Sequence, residues 1–151
     1  MSGRPLRVML VSSIGGHLTQ LREIARHMGD VEYFYVLNVR PTADPGLERE
    51  IEFVSHSERD WRFFANLLEA LRLCWKRRPD VIISTGAGHV VPISLVGRMF
   101  GVRTIFVETM SRVETPSLTG RLMYRIADRF YYQWPSLSRY YPKGTCTGPL
   151  L

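Results

Sequence analysis

Cysteine is scarce: the 151 residues hold two, Cys74 and Cys146. Two isolated thiols make neither a disulfide framework nor a metal-ligand set, so a reducing cytoplasm is the expected setting and no metal site is expected. Long apolar runs are missing as well. No stretch approaches the roughly 20 apolar residues of a membrane span. Residues 6–11 are too short, and too interrupted by Arg7, for a signal-peptide core. No Gly-Lys-Ser or Gly-Lys-Thr occurs, which excludes a P-loop.

What is present is the composition of a folded domain, 45% hydrophobic and 23% charged. The length suits one domain, residues 1–151, and is too small for two. The net charge of +6 is uneven. Residues 1–29 carry +3, 30–58 carry −5, 59–80 carry +3 and 81–151 carry +5. A basic second half suits an anionic partner or a solvated face. Its cations are scattered and its aromatics follow strand and helix patterns, so nucleic acid is not the expected partner.

Apolar runs alternate with helical periodicity. Strands are expected over 7–12, 31–38, 51–54, 80–84, 103–108 and 129–133, and helices over 16–28, 60–78, 91–100 and 118–127. Gly29 would stop the first helix and Ser117 cap the last. Residues 40–46 read as a turn-rich, mobile loop. Strand–helix alternation with β-branched strands implies an α/β fold, a Rossmann-like parallel sheet covered on both faces.

Two strands run straight into glycine loops of one pattern. The first is Ser12-Ser13-Ile14-Gly15-Gly16-His17 and the second Ser84-Thr85-Gly86-Ala87-Gly88-His89. Glycine allows the tight turn and lets a ligand approach the N–H groups at a helix start, an arrangement that favours an anion. With strand order 3-2-1-4-5-6 both loops would open onto one crevice at the topological switch point. Neither is a dinucleotide fingerprint. The first lacks a third glycine, and strand two ends at Asn38 without an acidic residue for a ribose. Close helix–sheet packing is the other use of such glycines.

The motifs carry a family resemblance. Ser13-Ile14-Gly15-Gly16-His17-Leu18 resembles the acceptor-side glycine loop of GT-B glycosyltransferases such as MurG. Ile83 to Gly88, Val107-Glu108-Thr109 with Arg112-Val113, Pro116 to Arg121, and Gln133-Trp134-Pro135 followed by Tyr141-Pro142 resemble the PssD-type, Alg-fourteen-like oligosaccharide biosynthesis family. The resemblance implies one half of a GT-B enzyme, the N-terminal-type domain. It would bind a polyprenyl-diphosphate-linked sugar in exopolysaccharide or capsule assembly. A small PssE-like subunit would bind the UDP-sugar, so this chain needs no cofactor of its own. The expected location is the inner face of the cell membrane, peripherally bound.

Inverting sugar transfer needs a base for the attacking hydroxyl. His17, at a helix start, is the first candidate and Glu108, at a strand end, the second. Gly15, Gly16, Thr85, Gly86, Gly88 and Arg112 are the candidate acceptor-binding residues. His27 and His56 lack accompanying ligands and read as structural. Residues 61–78 read as a helix with a wide apolar face and a Lys76-Arg77-Arg78 end. Trp61, Phe63, Phe64, Lys76, Arg77 and Arg78 could meet an anionic bilayer, or the helix could serve the core alone. Tyr131, Tyr132, Tyr140 and Tyr141 read as packing or partner interface. The alternative function is a non-catalytic anchor that only docks the catalytic subunit, and it differs from the enzyme reading at His17 and Glu108.

Overall fold

The computed structural model describes residues 3–38, 51–54 and 62–151. The loop 40–46, His56 and Trp61 lie outside them. In chain order the elements are β1 (Arg7–Ser12), α1 (Gly16–Arg26), β2 (Glu32–Leu37), β3 (Ile51–Phe53), α2 (Arg62–Arg77), β4 (Val81–Ser84), α3 (Val90–Met99), β5 (Arg103–Val107), α4 (Leu118–Ile126), β6 (Arg129–Tyr132), a 3₁₀ turn (Pro135–Arg139) and β7 (Thr145–Cys146). They build one parallel sheet of order β3-β2-β1-β4-β5-β6-β7. The expected order is therefore present, with β7 as an added edge strand. Two residues of mixed polarity, Thr145 and Cys146, are too short a signal to be read from periodicity.

Side-chain alternation divides the core into two layers. Met9 and Val11 of β1, Phe34 and Val36 of β2, Ile82 and Phe106 face α2, α3 and α4, joined there by Ala70, Leu73, Ile93, Val96 and Met123. Val8, Leu10, Tyr35, Leu37 and Ile83 face α1, which contributes Leu18, Leu21 and Ala25. Both faces of the central strands are buried, as their nearly unbroken apolar sequences require. Gly97 lets α3 approach β4, because a Cβ there would lie 2.7 Å from Ile82 Cδ1.

The adjacency of β1 and β4 matters most for function. Val11 pairs with Ser84, so the two glycine loops leave the sheet side by side.

Candidate functional site

Gly15 caps α1 with φ 90° and ψ −142°, a conformation open essentially to glycine. The first bond of the helical ladder runs from Thr19 N–H to the Gly15 carbonyl. The N–H groups of Gly16, His17 and Leu18 therefore lie outside that ladder. A Cβ at Gly15 or Gly16 would meet no atom within 4 Å. The start of α1 is a positive helix end facing open space.

His17 closes this loop onto the second one. Its Nδ1–H donates to the Thr85 carbonyl at 2.9 Å, and Thr85 Oγ1–H donates to the His17 carbonyl at 2.6 Å. A carbonyl only accepts, so the proton of a neutral imidazole sits on Nδ1 and Nε2 keeps its lone pair. Gly86 takes φ 139°, and a Cβ there would fall 2.6 Å from the imidazole. The second loop's threonine and glycine thus seat the ring.

The second loop departs from the expectation that it too presents free N–H groups. Val90 N–H goes to the Ala87 carbonyl and Val91 N–H to the Gly88 carbonyl, while Ala87 itself has φ 94°. Thr85 is buried, and Gly88 is exposed at the turn. Among the candidate binding glycines, Gly15 and Gly16 border open space and Gly86 lies under His17.

Glu108, the second candidate base, is buried. It is 1% exposed. Its carboxylate accepts from Tyr141 Oη–H at 2.6 Å, Ser117 Oγ–H at 2.8 Å, Thr109 N–H at 3.1 Å and Ser117 N–H at 3.2 Å. Four donors occupy it, which is how a buried carboxylate is tolerated and leaves no lone pair for a substrate hydroxyl. Burial first, then the bond to Glu108 and its charge, push the Tyr141 hydroxyl far above the usual tyrosine range, against an opposing pull from Arg121 and Arg112. Ser117 also accepts from Gly120 N–H at 2.8 Å, capping α4 as expected. Gly120 must lack a side chain, since a Cβ would lie 1.9 Å from Glu108 Oε2.

A buried amide pair ties the two regions together. Gln20, one turn beyond Gly16, donates to the Gly16 carbonyl at 3.3 Å and accepts from Met110 N–H at 3.1 Å. Gln133 donates to Gln20 Oε1 at 2.8 Å and to the Glu108 carbonyl at 3.0 Å, and accepts from Leu150 N–H at 3.0 Å. Trp134 Nε1–H donates to the Met110 carbonyl at 2.6 Å, and Ser136 Oγ–H to that of Val113. The loop after β5 is therefore held by four residues, with Arg112 exposed on it. Gln20 escaped the sequence reading, and Gln133 entered it only as part of the Gln133-Trp134-Pro135 motif. The available signal was a lone amide beside Leu21 on the core face of α1.

The basic end of α2 is not uniform. Arg77 Nε–H donates to Glu52 at 2.9 Å and its guanidinium lies 4.8 Å above the Phe34 ring, so it serves the fold. Lys76 reaches the same carboxylate at 3.5 Å but stays exposed, as does Arg78. Phe63 and Phe64 are exposed, as a lipid-facing role requires. No helix among the described residues is long and apolar enough to cross a membrane.

Comparison with known proteins supplies the family. The model for the oligosaccharide biosynthesis protein Alg14-like family matches residues 48–150. The mouse UDP-N-acetylglucosamine transferase subunit ALG14 is 23% identical, over 97% of this chain and 83% of its own. The rat protein of the same name is 35% identical over 80 residues, 49% of this chain and 37% of its own. Acinetobacter baumannii MurG shares the fold with a TM-score of 0.72 at 14% identity, over 87% of this chain and 43% of that one. A UDP-N-acetylglucosamine 2-epimerase from Rickettsia bellii does so with a TM-score of 0.75 at 13% identity, over 97% and 46%. At such identities the two structures speak for the fold alone, and this chain spans less than half of each.

Proposed function

The chain belongs to the Alg14-like oligosaccharide biosynthesis family, and from that premise we propose that it is the acceptor-side half of a two-component UDP-sugar transferase. A separate donor-binding subunit, PssE-like in size and role, supplies the nucleotide site. The acceptor is a sugar on a polyprenyl diphosphate, used in exopolysaccharide or capsule assembly at the inner face of the membrane. The relatives' names, subunits of a UDP-N-acetylglucosamine transferase, support the subunit role and the reaction class.

The observation that carries this reading is the His17 imidazole, fixed through Nδ1 by the Thr85 carbonyl, at the helix start where Gly15 and Gly16 leave open space. In transfer, the acceptor hydroxyl attacks the anomeric carbon as its proton passes to His17 Nε2, and the nucleotide diphosphate leaves on the partner's side. The positive start of α1 favours an acceptor phosphate nearby, and Arg112, exposed on the loop that Gln20 holds, is our candidate cation to assist. Glu108 has a positioning role, holding that loop and the α4 cap.

The test is reconstitution. The purified chain alone should transfer no sugar from a UDP-sugar to a polyprenyl-diphosphate-linked acceptor, and adding the donor-binding subunit should restore transfer. Turnover by the lone chain contradicts the half-enzyme reading. Full activity of an assembled His17 variant moves the role to that of a non-catalytic anchor.

A further inference from the structure

Gln20 is a polar residue on a helix whose other buried residues are Leu18, Leu21 and Ala25. It is 2% exposed. Burying an amide costs free energy unless its polar atoms are paired, and here every hydrogen-bonding position is taken. Nε2 donates to the Gly16 carbonyl at 3.3 Å and to Thr109 Oγ1 at 3.4 Å. Oε1 accepts from Met110 N–H at 3.1 Å and from Gln133 Nε2 at 2.8 Å. A flipped amide would set oxygen against the Gly16 carbonyl and donor against the Met110 N–H, so a single orientation is allowed.

What this amide grips beyond its own helix is a turn. Arg112 N–H donates to the Thr109 carbonyl at 3.1 Å, closing residues 109–112. Within the turn, Ser111 N–H donates to Thr109 Oγ1 at 3.4 Å, and the two hydroxyl oxygens lie 3.0 Å apart. Gln20 therefore holds the first two residues of the turn, and Arg112 is the last. On its own helix Gln20 holds Gly16, the first residue of α1. The exposed Arg112 and the positive start of α1 both attract an anion, and one side chain is bonded to the elements that carry them. We propose that Gln20 is a positioning residue for the acceptor. It fixes the 109–112 turn to the start of α1, so that Arg112 and the α1 N–H groups meet one acceptor diphosphate as a preformed pair.

The inference deepens the transferase reading and rests on it for its substrate. An arginine on an unheld loop loses conformational freedom when it engages a ligand, whereas one fixed in advance loses little. Removing Gln20 should therefore weaken acceptor binding. The imidazole of His17 is held by the Thr85 carbonyl and keeps that bond, so the chemical step should be spared.

A double-mutant cycle in the reconstituted two-subunit enzyme tests this, with a polyprenyl-diphosphate-linked sugar as the varied substrate. Gln20→Met keeps the bulk and removes the amide. It should raise the acceptor KM about tenfold, within the usual range of coupling between two sites, and leave kcat and the donor KM nearly unchanged. Arg112→Ala should raise the acceptor KM comparably. The double variant should be no worse than Arg112→Ala alone, because a displaced turn harms only an arginine that is present. A merely structural loss would instead lower kcat at constant KM, by reducing the active fraction, or multiply with the effect of Arg112→Ala. Either result overturns the proposal, as does a wild-type acceptor KM in either single variant. Circular dichroism and a thermal melt establish folding. If Gln20→Met is unfolded, Gln20→Asn takes its place in the cycle with the same expectations, since its shorter side chain withdraws the amide from Met110. An inactive wild-type pair overturns the transferase reading and this inference together, whereas an active pair with multiplicative variants overturns this inference alone.

Discussion

The imidazole of His17 lies against Gly86, so close that a single methyl group at residue 86 would sit 2.6 Å from the ring. Two loops that arise 68 residues apart are thereby fitted to each other around one side chain. The glycine is required twice, by its φ of 139° and by the ring above it.

Gly86→Ala should therefore behave as a lesion of His17. Displacing the imidazole from the Thr85 carbonyl should cost the assembled transferase about 10²-fold in turnover, since a misplaced group can lose that much. Gly16→Ala, whose Cβ meets nothing, should leave the fold intact and raise the acceptor KM. Steady-state kinetics with saturating partner separates the two effects.

Gly120→Ala decides between helix propensity and packing. In an exposed helix the change would stabilise by up to about 1 kcal/mol. Here the methyl would fall 1.9 Å from Glu108 Oε2 and 2.6 Å from Tyr141 Oη, so packing wins. Urea unfolding should show a loss of about 1–3 kcal/mol, the usual cost of overpacking.

Tyr141→Phe should destabilise by about 1.5–3 kcal/mol, because it removes a donor from a buried carboxylate while keeping the ring. The aromatic cluster of Tyr141 with Tyr124, Phe130 and Tyr132 should persist, visible as an unchanged near-ultraviolet envelope apart from the lost phenol.

Stability should fall in alkali. Burial raises the Cys74 thiol from 9.0 to about 11, and the Tyr141 hydroxyl is raised above 10.0. Both groups keep their protons in the fold after the unfolded chain has lost them. Their contribution is thus complete below pH 9.0 and disappears as pH rises through about 11 for Cys74, with Tyr141 adding to the decline above 10.0. Unfolding midpoints measured across this window should drop, and Cys74→Ala should flatten the part near its onset.

The sequence announces the scaffold because it rests on periodicity. The strands at 7–12 and 103–107 and the helices at 16–26 and 118–126 follow from apolar spacing, with boundaries shifted by at most two residues. The glycine loops and His17 were legible because their glycines and the adjacent strands have a common pattern. The burial of Glu108 was not legible, since its place at the end of β5 suggests a crevice while its partners Ser117 and Tyr141 arrive from 9 and 33 residues away. The same holds for Gln20 and Gln133, which lie 113 residues apart. A polar side chain's burial depends on which distant donors reach it, and local spacing carries no record of that. Arg77 was grouped with its basic neighbours because adjacency in sequence conceals that helical rotation turns it toward Glu52 and Phe34.

The most direct measurement is the turnover of the two-subunit transferase carrying His17→Gln, assayed with saturating donor subunit and lipid-linked acceptor. A glutamine preserves size and hydrogen bonding but cannot accept the hydroxyl proton. Turnover should fall by about 10²–10⁴-fold, the usual contribution of a general base, with assembly and acceptor binding near normal. Turnover within a few-fold of wild type would contradict the assignment of His17 and leave this chain an anchor for its partner.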